Sequence, residues 1–144
     1  MADAAGNSAL LMVRLVTPDR LLLDATAASV ELPSASGYLE ALYGAAPLLA
    51  ELGAGEVRLH GGTSGDQIFF VAWGFAEVLP ERVTILAETA LHPSEIDKAE
   101  ARQELDAAEK QWHEAGDDAV KYDYASAAIR AAEEKIASSE GSAN

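Results

Sequence analysis

The residues that could do chemistry are few and scattered. Gly61-Gly62-Thr63-Ser64-Gly65-Asp66 is the one glycine-rich run with the look of a phosphate cradle. A phosphate loop needs a lysine and a following helix. Two apolar runs flank this one instead, so it reads as the turn of a β-hairpin. The three histidines, His60, His92 and His113, fall on a strand end, a linker and a helix, without the spacing of metal ligands. There is no cysteine, hence no disulfide framework, thiolate site or cysteine nucleophile. That composition fits a reducing compartment. No Gly-x-Ser-x-Gly elbow is present, and no serine has a base beside it. Carboxylates are abundant, so a carboxylate-dependent enzyme stays open as a minor alternative, although no constellation singles out a pair for acid–base work. The sequence offers no catalytic residue, cofactor site or metal site.

Binding is the better reading. Tyr38 and Tyr43 flank a segment rich in Gly, Ala and Leu. Exposed tyrosines often anchor interfaces, and tyrosines can equally shield the end of a sandwich. Phe69, Phe70, Trp73 and Phe75 sit among short apolar runs and read as core. Trp112 reads as part of an apolar helix face.

Charge limits the partners. Ten basic and 24 acidic residues give a formal net charge of −14. Residues 1–90 hold 4 basic and 11 acidic groups and residues 91–144 hold 6 and 13, so each part carries −7. Such a chain repels nucleic-acid phosphates and anionic lipid headgroups, and its partners are expected to be neutral or basic. Met1 to Asn7 lacks the cationic end of a signal peptide. No apolar run approaches the roughly 20 residues of a membrane span. The expectation is a protein that is soluble, or peripheral through a partner.

The elements fall into two regimes. Up to about Thr89, short apolar runs are broken by Gly, Pro, Ser and Asp. Val13–Val16 ends at the turn Thr17-Pro18-Asp19-Arg20, and Ala28–Leu32 alternates and stops at Pro33. Val57–Leu59, the glycine turn and Gln67–Val71 form a hairpin. Phe75–Leu79, a turn at Pro80-Glu81-Arg82 and Val83–Leu86 complete the series. This spacing predicts a β-sandwich or barrel. After His92 the chain becomes alanine with charges. Ser94 and Asp97 have the pattern of a capping box. Ala101, Leu105, Ala108 and Trp112 share one helical face. Gly116-Asp117-Asp118 stops that helix and caps the next. Tyr122, Ala125, Ile129, Ala132 and Ile136 share the face of the second. Two such helices fold back as an antiparallel hairpin. Alanine seams bury little area at ~25 cal/mol per Å², which predicts a hairpin able to open without unfolding the strand domain. Ser138 to Asn144 reads as a frayed tail.

Four phrases, in order, carry a resemblance over residues 11 to about 137. Leu15-Val16-Thr17-Pro18-Asp19-Arg20 resembles the opening strand and turn of the F-type ATP synthase epsilon subunits. Gly37-Tyr38-Leu39 through Gly44-Ala45-Ala46-Pro47-Leu48-Leu49 is similar to that family's loop ending in Ala-Pro-Leu-Leu. Phe70–Val78 through Val83–Ala90 is the closest match. Asp123-Tyr124-Ala125 resembles the start of the family's second helix. The resemblance implies an α+β chain with a β-sandwich over residues 1–90 and a helical hairpin over residues 91–144. It implies a non-catalytic central-stalk (rotor) subunit for proton-driven ATP synthesis, peripheral on the cytoplasmic face of the bacterial inner membrane. The implied partners are the gamma subunit, the c-ring and, through the hairpin, the alpha and beta subunits. The alternative is a free-standing sandwich that binds a small ligand, with the hairpin as a dimerisation arm.

Position by position, Ser36 to Gly44 matches the c-ring-facing loop, with Ser36, Gly37, Tyr38, Glu40, Tyr43 and Gly44 as contacts. The family's acidic residue and glycine near its start are replaced by Tyr38 and Glu40. Thr17, Ala45 and Ala50 match the gamma-facing positions. Ala45 stands for a histidine and Ala50 for a threonine, so this face is more apolar than usual. ATP-binding relatives open their first helix with Ile-Asp-x-x-Arg-Ala. Here Ile96-Asp97-Lys98-Ala99-Glu100-Ala101 puts a carboxylate at the arginine position, where an anion would be repelled. Arg102 lies about 200° further round the helix, so no ATP site is expected. Inhibitory relatives use basic groups on the second helix. Arg130 and Lys135 beside Asp123, Glu133 and Glu134 predict weak or absent inhibition.

Overall fold

The strands are set by alternation that puts one face of each against a shared core. The computed structural model describes residues 9–141. Met1 to Asn7, read above for a targeting signal, and residues 142–144 lie outside the described residues. The chain divides into two compact units, residues 1–90 and 91–144.

In the first unit, β1 (Leu11–Val16) turns Leu11, Val13 and Leu15 inward and Met12 and Arg14 outward. It is followed by β2 (Leu21–Ala27), β3 (Ser29–Ser34), β4 (Gly37–Leu42), β5 (Leu48–Glu51), β6 (Ala54–His60), β7 (Gln67–Val78) and β8 (Arg82–Leu91). The hydrogen-bonded order is β2-β1-β8-β7-β6-β3-β4, with β5 also on β7. β1 runs parallel to β8, with Met12 opposite Arg82 and Val16 opposite Leu86. The sheet folds over one cluster that includes Leu15, Leu32, Leu59, Phe69, Val71, Val78 and Ile85, giving a β-sandwich.

One strand serves both layers. β7 pairs with β6 from Gln67 to Ala72, then with β5 from Phe75 to Val78. The switch falls at Trp73 (φ 64°) and Gly74 (φ 120°). A Cβ at Gly74 would collide with the Leu86 carbonyl, so only glycine fits this crossing. The extra residue flips the side-chain parity. Inward positions are Phe69 and Val71 before the kink and Ala76 and Val78 after it. Phe75, expected in the core, therefore faces out at 54% exposure. The two runs read as separate strands are one kinked strand. The stretch from Ser36 to Gly44, expected as a loop, contains strand β4, because Ala41 is buried and Leu39 packs on the core.

The second unit opens with a 3-10 turn, Pro93–Glu95, in which the Glu95 carboxylate accepts the His92 N–H at 2.8 Å. Helix α1 (Lys98–Ala115) starts later than the sequence suggested, since Asp97 and not Ser94 is its cap and accepts the Glu100 N–H at 3.1 Å. Gly116 (φ 56°) ends α1. The Asp118 carboxylate then caps α2 (Ala119–Gly141), accepting the Val120 and Lys121 N–H groups, both at 3.1 Å. Buried Ala101, Ala108 and Ala115 face a seam with Ala125 and Ala132. Lys135 reaches across to both oxygens of Glu104 at 3.2 and 3.0 Å. Trp112 packs on Tyr122 near the turn, ring centres 5.4 Å apart. Ser138 is buried in α2, so the helix continues through residues read as a frayed tail.

Candidate partner-binding surface

The glycine run that could have held a phosphate is closed by its own chain. The Gly61 N–H donates to the Asp66 carboxylate at 2.9 Å, the Thr63 N–H to the Thr26 hydroxyl at 3.2 Å, and the Gly65 N–H to the Gly62 carbonyl at 3.1 Å. His60 lies between two acids here, with Nε2 2.7 Å from Glu31 and Nδ1 3.6 Å from Asp66. The hydrogen bond to Glu31 raises the His60 pKa most, with Asp66 adding to it. The Gly61 N–H, and then His60, lower that of Asp66. Among the described residues no group of three or more His, Cys, Asp or Glu side chains is placed to hold a metal.

The residues matched to partner contacts separate towards two ends of the sandwich. Ser36 and Gly37 form the β3–β4 turn, where the Ser34 hydroxyl meets the Gly37 carbonyl and accepts the Ser36 N–H. This turn is tied to β5 through the Ala35 N–H and the Glu51 carbonyl, 2.8 Å apart. Tyr38 is 58% exposed, yet its hydroxyl accepts the Glu56 N–H at 2.9 Å. Its ring therefore lies across β3, opposite Pro33. Glu40 is exposed, opposite Glu31. Tyr43 and Gly44 follow the other end of β4, about 17 Å from Gly37 at ~3.3 Å per residue. There the Gly44 N–H donates to the Pro80 carbonyl at 2.7 Å, and Ala45 packs on the core. Thr17 is at the Glu51 end, with its hydroxyl occupied by the N–H groups of Asp19 (3.3 Å) and Arg20 (3.2 Å). Ala50 is buried, opposite Ala76. Thr17 and the β3–β4 turn thus share one end, and Tyr43, Gly44 and Ala45 occupy the other.

Sequence reasoning missed the surface between them. Val16 lies opposite Leu21 and Leu86, and Glu51 opposite Phe75. Phe75 and Leu86 line one groove of about 560 Å³ with Val16, Thr17, Glu51 and Glu88. An apolar row, Phe75-Leu86-Val16-Leu21, therefore crosses four strands at right angles, spanning about 15 Å at ~4.8 Å per strand. Phe75, Leu86 and Leu21 are each more than half exposed, and Leu49 is 70% exposed beside Glu77. Aligned exposure of this kind marks a contact surface more than scattered apolar residues do. The signal in the sequence was Trp73-Gly74, an aromatic–glycine step inside a strand that announces a bulge and a change of parity.

The fold is a β-sandwich with an appended helical hairpin, and the sandwich carries an exposed apolar row. The family described as "ATP synthase, Delta/Epsilon chain, beta-sandwich domain" matches residues 10–93. The "ATP synthase epsilon chain" of Koribacter versatilis is 45% identical over 104 residues, 71% of each chain. That of Brucella canis is 38% identical over 96 residues, 67% of this chain and 71% of the relative. A chain of the Euglena gracilis mitochondrial ATP synthase, from an OSCP/F1/c-ring structure, shares the fold with a TM-score of 0.75 and 20% identity, covering 90% of this chain and 81% of that one. One from the Tetrahymena thermophila central stalk and c-ring has a TM-score of 0.55 at 15% identity, with 88% and 96% covered. The chain belongs to the ATP synthase delta/epsilon chain family.

Proposed function

We propose that this chain is a central-stalk rotor subunit of an F-type ATP synthase, joining the gamma shaft to the c-ring without catalysing a reaction itself. The apolar row Phe75-Leu86-Val16-Leu21 carries the reading, as the surface that receives gamma. Thr17 borders its groove, and Ala50 sits in the adjoining strand. The c-ring contact falls to the β3–β4 hairpin, through Ser36, Gly37, Tyr38 and Glu40, with Tyr43 and Gly44 as a second region, while Ala45 beside them goes with Thr17 and Ala50 to the gamma contact. Among the described residues no helix is long and apolar enough to cross a membrane. The chain is peripheral to a membrane complex, on the cytoplasmic face of the bacterial plasma membrane.

The hairpin contacts the alpha and beta subunits weakly and inhibits hydrolysis little. Helix α2 carries Lys121, Arg130 and Lys135 against Asp123, Glu133, Glu134 and Glu140. The helix starts at Ala119, which adds Lys121 to the cations considered from sequence, but Lys135 is engaged by Glu104. Deleting residues 91–144 is expected to change hydrolysis by the assembled enzyme only slightly, and a manyfold rise would sink this point. The main test is titration of the full chain with the matching gamma subunit by calorimetry. A one-to-one complex is expected, weakened by about 30-fold or more in the pair Phe75→Ala and Leu86→Ala, as for the loss of a buried anchor. No binding at tens of micromolar, as judged against typical specific affinities, would overturn the reading.

A further inference from the structure

The apolar groove has an acidic rim. Glu51 stands on β5 opposite Phe75, and Glu88 on β8 is the next outward position after Leu86. Both line the groove and both are exposed. Among the described residues neither side chain has a hydrogen-bond or ion-pair partner, and no lysine or arginine lines the groove. Glu77 on β7, opposite Leu49, adds a third exposed carboxylate. Two cations stand near the groove: Arg20, in the turn bonded to Thr17, already has a contact of its own, and Arg14 on β1 is engaged by Asp24 at 3.3 Å.

We infer that the partner seated on this groove presents an apolar strip flanked by lysine or arginine side chains that pair with Glu51 and Glu88. This rests on the reading of the groove as the gamma-binding surface and specifies the chemistry of its occupant. A neutral apolar partner would cover two carboxylates and strip their water without replacing it, which is costly. A cationic flank compensates that loss and also speeds the encounter, because the chain as a whole is strongly acidic. The apolar row supplies residence time, and the rim supplies recognition and rate. The same rim rejects acidic surfaces, including copies of this chain.

The test is association kinetics of the full chain with purified gamma subunit at low and high salt. The variants are Glu51→Gln with Glu88→Gln, and Phe75→Ala. Both glutamates are exposed and unpaired, so the double variant should fold as the parent does, as circular dichroism would verify. We expect the parent association rate to fall with salt. In the double glutamine variant the low-salt rate should drop about three- to tenfold and its salt dependence should flatten. Phe75→Ala should keep the salt dependence and speed dissociation. If the glutamine variant associates as fast as the parent at every salt concentration, or binds more tightly, the basic flank is refuted while the gamma assignment stands. If the parent chain does not bind gamma at all, both are overturned.

Discussion

The two units carry the same formal charge but hold together by different means. The sandwich closes over large side chains, with Phe69, Leu15, Leu32, Leu59 and Ile85 almost completely buried. The hairpin closes over Ala101, Ala108, Ala115, Ala125 and Ala132, while Leu105, Ile129 and Ile136 are only half-buried. Since apolar burial scales with area, each contact in the sandwich is worth several in the hairpin. The half that holds its shape by bulk presents a fixed surface. The half that holds by close backbone approach keeps less in reserve, and its cross-helix ion pair Lys98–Glu140 is an exposed one worth ~1 kcal/mol or less.

The sharpest way to break this contrast is at Phe69. Phe69→Ala should destabilise the sandwich by about 3–5 kcal/mol, as expected for removing a fully buried aromatic ring. Denaturant unfolding followed by circular dichroism of the strand signal checks it. A loss below about 1 kcal/mol, the usual size of surface effects, would mean the core is not organised around this ring.

In the hairpin the informative change is an addition. Ala108 is 3% exposed within the seam. Ala108→Leu forces the two axes apart and should cost about 1–3 kcal/mol, the range for overpacking. Hydrogen exchange should quicken along α1 and α2 and stay unchanged in the strands. Slower exchange in the helices would mean that the seam is underfilled and gains from bulk.

What the sequence disclosed follows from the same contrast. The helices were legible because their period is uninterrupted and Gly116-Asp117-Asp118 is an unambiguous stop and cap. The turn at Thr17–Arg20 and the hairpin around Gly61–Asp66 were legible because glycine, proline and aspartate leave few alternatives. β2, β4 and β5 were not legible as strands. Leu21-Leu22-Leu23 is uniformly apolar and carries no alternation, and β5 is only four residues long. The outward turn of Phe75 depends on one bulge, which the Trp73-Gly74 step signals but alternation alone does not. The candidate contact positions were found by likeness to relatives, whereas the exposed row and its acidic rim arise from cross-strand register. Register lies in pairings between distant segments, and apart from the Trp73-Gly74 step a linear reading does not give them.

The smallest effect expected is one of pH, at His60 in the sandwich. His60 is held near Glu31 and Asp66, and Arg58, on the same strand, is itself bonded to Glu56 at 2.7 Å. Glu40 lies opposite Glu31 on β4. The local balance favours the protonated imidazole, so the native pKa lies above the ordinary histidine value. A raised native pKa adds stability that is fully present below the unfolded-state value near 6.5. That stability fades as pH rises through the higher native value. The pair is partly solvated, so the gain is small. Glu31→Gln should bring the His60 titration, read by NMR from its ring protons, down towards the unfolded value. It should also flatten the fall in melting temperature between about pH 6 and 8, the interval that brackets ordinary histidine titration. Asp66 should be the weaker contributor, because the Gly61 N–H already satisfies its other oxygen, and Asp66→Asn should shift the titration less than Glu31→Gln. Equal shifts from the two variants would mean that His60 responds to the net charge of the turn and not to the short bond with Glu31.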